Sequence, residues 1–191
     1  MAFDHRSQFY DIARTAGADE SRIPALKKLL VRAAEHVERS RQLQGHTGVL
    51  IDGGDYGRDA LASATGRGWW VGRPVELPGS RPLRFDGTRS VGSALVHWPT
   101  EQVVKCLVHY HPDDAYALRL EQEQKVLELW EATRESGNEL LLEIIPPKSM
   151  TPEGTADAAV LRSVKRFYNL GVKPEWWNCL LYTSPSPRDL S

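Results

Sequence analysis

Two hydrophobic periods alternate along this chain: short apolar runs that read as strands, and longer stretches with apolar positions at helical spacing. That alternation argues for an α/β fold built on a parallel sheet. Met1 to Phe3 predicts the stub of a first strand. A helix is expected from Pro24 to Gln44. Pro24 suits a first helical position, and Leu26, Leu29, Leu30, Ala33 and Val37 form an apolar stripe. Gly48 to Asp52 reads as a short buried second strand ending in a carboxylate. A brief helix from Tyr56 to Ala64 is ended by Gly66. The third strand, Gly68 to Glu76, runs into the loop Leu77 to Pro82, and a short helix is expected from Ser90 to His97. Val103 to Tyr110 is the fourth strand. Pro112-Asp113-Asp114 then predicts a cap for a long charged helix, Ala115 to Ser136, with a stripe through Leu120, Val126, Leu127 and Trp130. Leu140 to Ile145 is the fifth strand. Asp157 to Leu170 is a helix stopped by Gly171, and Glu175 to Asn178 opens a sixth strand.

Strands that alternate with helices fit either an open doubly wound sheet or an eight-fold barrel. No Gly-x-Gly-x-x-Gly or Walker-type loop follows any strand, which weakens a nucleotide-binding reading. Polar residues instead sit at strand ends, where barrels carry their chemistry. The expected fold is therefore an incomplete (β/α)8 TIM barrel of about five and a half strand–helix units over residues 1 to 178. With two sheet edges unpaired, a chain of this extent is expected to be poorly stable and inactive.

Composition narrows the picture little. The 191 residues carry a net charge of -1, which gives no electrostatic case for nucleic acid or an anionic membrane. No run approaches the roughly 20 apolar residues of a membrane span, and the N-terminus has no basic region followed by an apolar one. Two cysteines, Cys106 and Cys179, do not make a disulfide framework, so the expected location is cytoplasmic.

The sharpest chemical signal is Val103-Val104-Lys105-Cys106-Leu107-Val108-His109-Tyr110. Strand alternation puts Lys105, Leu107 and His109 on one face and Val104, Cys106, Val108 and Tyr110 on the other. A lysine in a buried strand is costly unless it is paired or used, and burial by itself lowers an amine's pKa. Glu143 interrupts the apolar run Leu140 to Ile145 in the same way and can pair with Lys105 across adjacent strands. A structural ion pair and a working site both fit these residues. Asp4 and Arg6, two positions apart, can face one way at the end of the first strand. Asp52 ends the second strand and is either a site carboxylate or a turn residue before Gly53-Gly54. Arg73, Glu76 and Arg81 gather around the third strand and its loop, and a guanidinium suits capture of carboxylate or phosphate. His109 and His111 flank Tyr110 without further Cys/His spacing, so no metal site is expected. Cys106 is expected to be a small core residue.

From Cys179 the chain reads Cys-Leu-Leu-Tyr-Thr-Ser-Pro-Ser-Pro-Arg-Asp, an eleven-residue run that resembles a translated transposase-type sequencing adapter. Residues 179 to 191 are accordingly expected to be a non-native tail. The adapter's leading C would supply the third base of codon 178, turning an AA-purine lysine codon into the asparagine codon AAC.

Five blocks resemble one family: Asp4 to Phe9, Gly68 to Pro74, Glu76 to Leu83, Val104 to Val108, and Leu142 to Lys148. It is the barrel domain fused behind 5-dehydro-2-deoxygluconokinase in bacterial myo-inositol catabolism, with a more distant similarity to class I tagatose-bisphosphate aldolases. The most distinctive blocks are Pro78-Gly79-Ser80-Arg81-Pro82-Leu83 and Glu143-Ile144-Ile145-Pro146-Pro147-Lys148. The resemblance implies aldol cleavage of 2-deoxy-5-keto-gluconate 6-phosphate to dihydroxyacetone phosphate and malonate semialdehyde. A lysine Schiff base would be the electron sink, with no metal or other cofactor. Lys105 would be the proton shuttle, Glu143 its acid/base partner, and Asp4 with Arg6 the electrostatic and orienting groups. Asp52, Arg73, Glu76, Arg81 and His109 would contact substrate. The family's sixth-strand motif is Trp-Trp-Lys, so Trp176-Trp177-Asn178 departs at the Schiff-base position, as the codon argument anticipates. The partners implied are a small sugar phosphate and an upstream sugar-kinase domain, with a homo-oligomer left open. The alternative is a non-catalytic sugar-phosphate-binding barrel that regulates such a kinase.

Overall fold

The computed structural model describes residues 1–88 and 90–178. The expected adapter-derived tail, 179–191, lies outside the described residues. Five parallel strands form one sheet: β1 (Gly48–Leu50), β2 (Trp70–Pro74), β3 (Gln102–Val108), β4 (Leu140–Ile144) and β5 (Trp176–Asn178). The helices are α1 (Ser7–Thr15), α2 (Ile23–Arg41), α3 (Arg58–Ala64), α4 (Val91–Leu95), α5 (Tyr116–Ser136) and α6 (Ala156–Asn169). The expected first strand is reduced to a single parallel bridge, Ala2 to Leu50, backed by Phe3 N–H donating to the Leu50 carbonyl at 3.0 Å.

Strand order is sequential, β1-β2-β3-β4-β5, with no reversal. A doubly wound sheet requires such a reversal, so that alternative is removed. The sheet also curls. Trp70 on β2 and Trp176 on β5 have ring centroids 5.6 Å apart. In a flat sheet, three strand spacings would hold them about 14 Å apart. The N-terminal segment and β5 likewise share the lining of one cavity through Met1, Ala2, Trp177 and Asn178. The architecture is an α/β half-barrel.

The strands' outward side chains make the core. Val104, Cys106, Val108 and Tyr110 of β3 and its end pack with Leu140, Leu142 and Ile144 of β4 against Leu95, Val126, Leu129 and Phe167. A second cluster joins Phe3, Val49, Ile51 and Val71 to Val31, Ala34, Leu61 and Ala64. The alternation expected for β3 therefore holds, and Cys106 is fully buried, its thiol pushed well up by desolvation. That excludes it as a ready nucleophile.

Four local expectations are corrected. The helix α1 was not anticipated, although Phe9, Ile12, Ala13 and Ala16 carry helical spacing; it buries only Ala13, too little apolar surface to stand out. In α2 the buried positions are Ile23, Lys27, Val31 and Ala34, whereas Leu29 is 57% and Val37 47% exposed. The helix is rolled about one residue, some 100°, from the expected stripe, because Lys27 must face inward to reach Asp52. On α5 the inner face includes Gln122 and Glu123 while Leu120 is exposed. Asp114 does not cap α5; its carboxylate is held by Arg81 and by His111 N–H at 3.1 Å. Among the described residues, no helix is long and apolar enough to cross a membrane.

Candidate active site: a lysine among three carboxylates

β3 delivers Lys105 to the concave side of the sheet, as period-two alternation requires. Its Nζ lies 3.1 Å from Glu143 on β4, 3.3 Å from Asp4 after the N-terminal bridge, and 3.9 Å from Glu76 beyond β2. All four side chains are almost fully buried. The β3–β4 register sets Leu107 opposite Glu143, so Lys105 reaches Glu143 diagonally across the ladder. The β4–β5 register sets Glu143 directly beside Asn178.

These groups line a chamber of about 570 Å3 at the C-terminal ends of the strands, together with Arg6, Leu107, His109 and Asn178. Arg6 does not hang free in it. One guanidinium nitrogen bonds Asp86 at 2.9 Å, and the other bonds the Glu76 carboxylate at 3.1 Å and the Glu76 carbonyl at 2.9 Å. Leu107 N–H donates to the second Glu76 oxygen at 3.1 Å. Glu76 is thereby fixed from both sides beside Lys105, a partnership that its expected place at the end of the third strand gave no reason to assign.

The electrostatics correct one expectation. Burial does pull the Lys105 amine down, but the charges of Glu76, Asp4 and Glu143 outweigh it, and the net shift is upward. Lys105 is an ammonium at neutral pH, not a free-amine nucleophile. Glu76 moves up as well, because desolvation exceeds the opposing pull of Lys105, its hydrogen bonds and Arg6. A carboxyl raised towards neutrality is a better proton carrier than an ordinary one. His109 is half-buried and lowered by desolvation and by Arg81, so its imidazole is neutral at pH 7.

The remaining candidates lie elsewhere. Arg81 points at the His109 carbonyl, 3.2 Å away, and pairs with Asp114. Asp52 is buried against Lys27, whose Nζ also donates to the His5 carbonyl at 3.1 Å. Asp52 and Arg73 line a neighbouring cavity rather than the chamber. Lys27 is a buried charge that pattern reading missed; a lysine among leucines on a helix looks like its solvated face. Among the described residues, no three His, Cys, Asp or Glu side chains converge to hold a metal ion.

Fold and site together define a parallel α/β half-barrel protein whose strand ends enclose a buried ammonium ringed by carboxylates. The chain belongs to a family described as an uncharacterized protein conserved in bacteria (DUF2090), whose model matches residues 1–185. No curated protein matches it.

Proposed function

We propose that this chain is part of a TIM-barrel carbon–carbon lyase of the Schiff-base type, acting on a sugar phosphate. The observation that carries the reading is the sequence of three neighbouring strands. Lys105 on β3 touches Glu143 on β4 at 3.1 Å, and Glu143 is paired in register with position 178 on β5. A lysine at 178 would stand beside a fixed cation and an acid/base pair, the set an imine mechanism uses. The resemblance to barrels fused behind 5-dehydro-2-deoxygluconokinase supplies the substrate, 2-deoxy-5-keto-gluconate 6-phosphate.

The steps balance on these groups. The lysine amine adds to the substrate carbonyl and water leaves, giving a protonated imine. A carboxylate takes the proton of the substrate hydroxyl as the carbon–carbon bond breaks. The bond's electron pair moves to the imine nitrogen, giving an enamine, and the aldehyde departs. The same carboxyl returns a proton to the enamine carbon, and water hydrolyses the imine. Lys105, held as an ammonium, stabilises developing negative charge; Glu76 and Glu143 are the groups placed to carry the proton.

Asn178, as it stands, favours a second reading, a barrel that binds sugar phosphate and regulates a kinase without cleaving anything. One variant separates the two. Asn178→Lys treated with dihydroxyacetone phosphate and borohydride is expected to gain a covalent adduct at residue 178, by mass spectrometry, while the Asn178 chain gains none. An Asn178→Lys protein that folds and traps nothing overturns the lyase reading.

A further inference from the structure

A second cavity, of about 560 Å3, lies beside the chamber, and Arg6 lines both. Its charged groups come in pairs, with one exception. Lys27 is matched by Asp52, Arg6 by Glu76 and Asp86, and Asp55 by Arg58 at 3.5 Å. Arg73, projecting from β2, has no carboxylate within ion-pair distance among the described residues. Its guanidinium carbon sits 3.8 Å over the Trp98 ring, and its nearest polar partner is the Gln102 amide oxygen at 3.5 Å.

The backbone after β1 also closes on the guanidinium. A Cβ built on Gly53 would fall 2.4 Å from Arg73 Nε, so the chain after β1 approaches so closely that only a glycine leaves the arginine its place. A guanidinium fixed by its face and lacking a counter-charge presents its edge N–H groups to the cavity, the geometry that recognises carboxylate or phosphate in two parallel hydrogen bonds. Desolvation, and after it the charge of Arg58, lowers the Arg73 pKa, the direction expected of a half-buried cation without an anion beside it.

We propose that this cavity is an anion subsite in which Arg73 takes a carboxylate or phosphate of the ligand, with the ligand's reacting end in the adjoining chamber. The second clause rests on the lyase reading; the anion site does not. The ligand class is a sugar acid or sugar phosphate with one charged end set apart from its carbonyl.

The test titrates the chain separately with inorganic phosphate and with acetate, reading the arginine Nε–H resonances by NMR and affinity by calorimetry. One of the two anions is expected to move the Arg73 resonance. Its affinity should fall at least tenfold in Arg73→Gln and in Gly53→Ala, and stay unchanged in Arg14→Gln, whose exposed side chain pairs with Asp11. Binding of phosphate alone assigns a phosphoryl group to the subsite; binding of acetate alone assigns a carboxylate. An unmoved Arg73 resonance with both anions overturns the proposal, as does a folded Arg73→Gln protein with undiminished affinity. Should Arg73→Gln fail to fold, the wild-type resonance decides. Anion binding at Arg73 combined with no trapped adduct in Asn178→Lys keeps the subsite and discards the lyase.

Discussion

Lys105→Met is expected to lose about 3–5 kcal/mol of stability at pH 7.5 and much less at pH 4.5. The substitution leaves Asp4, Glu76 and Glu143 facing one another inside the chamber with their shared cation gone. Glu76 is already shifted upward with Lys105 present, and Lys105 is the largest influence holding it down. Removing that charge raises it further. A carboxyl whose folded pKa exceeds its unfolded value binds more protons in the folded state. Its penalty is therefore absent below the unfolded pKa, near 4.3, and grows until pH passes the raised folded pKa. Urea unfolding at the two pH values measures this directly. An equal loss at both would mean that the carboxylates do not depend on the lysine's charge. Set against the roughly 5–15 kcal/mol of a whole domain, the loss at neutral pH is large enough to unfold a marginal protein.

The second large effect is expected at the base of the neighbouring cavity. Lys27 and Asp52 are 1% and 3% exposed in their side chains, and each is the other's charge partner. Lys27→Met strands a buried carboxylate, and Asp52→Asn strands a buried ammonium; each is expected to cost about 3–5 kcal/mol. The double variant Lys27→Met/Asp52→Asn should cost clearly less than the two losses added, with a coupling above about 1 kcal/mol in a double-mutant cycle by urea unfolding. Simple additivity would show that the two charges do not support each other. A further contrast separates structure from binding. If Asp52 were a ligand contact alone, Asp52→Asn would leave stability intact.

The chamber was legible because its residues violate their surroundings. Lys105 breaks the valine run of β3, Glu143 breaks the leucine run of β4, and period-two alternation fixes which face each takes. Asp4 and Arg6 were legible as a same-face pair for the same reason. Glu76 was not assigned its place, because β2 ends at Pro74 and the residue is set by an isolated bridge to Phe85 and by Arg6, contacts many residues away. The roll of α2 was hidden for a related reason. Five apolar residues made a plausible stripe, and only the charge of Asp52, brought close by β1, decides that Lys27 turns inward. Arg73 shares a face of β2 with Val71 and Val75 and pairs in register with Val104, so alternation already sets it on the side of the sheet away from Lys105, whereas the pairing of Asp52 with Lys27 on α2 is not encoded in local pattern. Burial alone also gave the wrong direction for the Lys105 amine. Desolvation is a property of one residue, whereas the three opposing charges come from three different elements.

The most direct measurement is an NMR pH titration of the Lys105 amine in selectively labelled protein. Held by Glu76, Asp4 and Glu143, it should stay protonated past the ordinary lysine range and be among the last of the lysines to lose its proton. An amine that titrates below the other lysines would be a desolvated free base, and the picture of a cation ringed by carboxylates would be wrong.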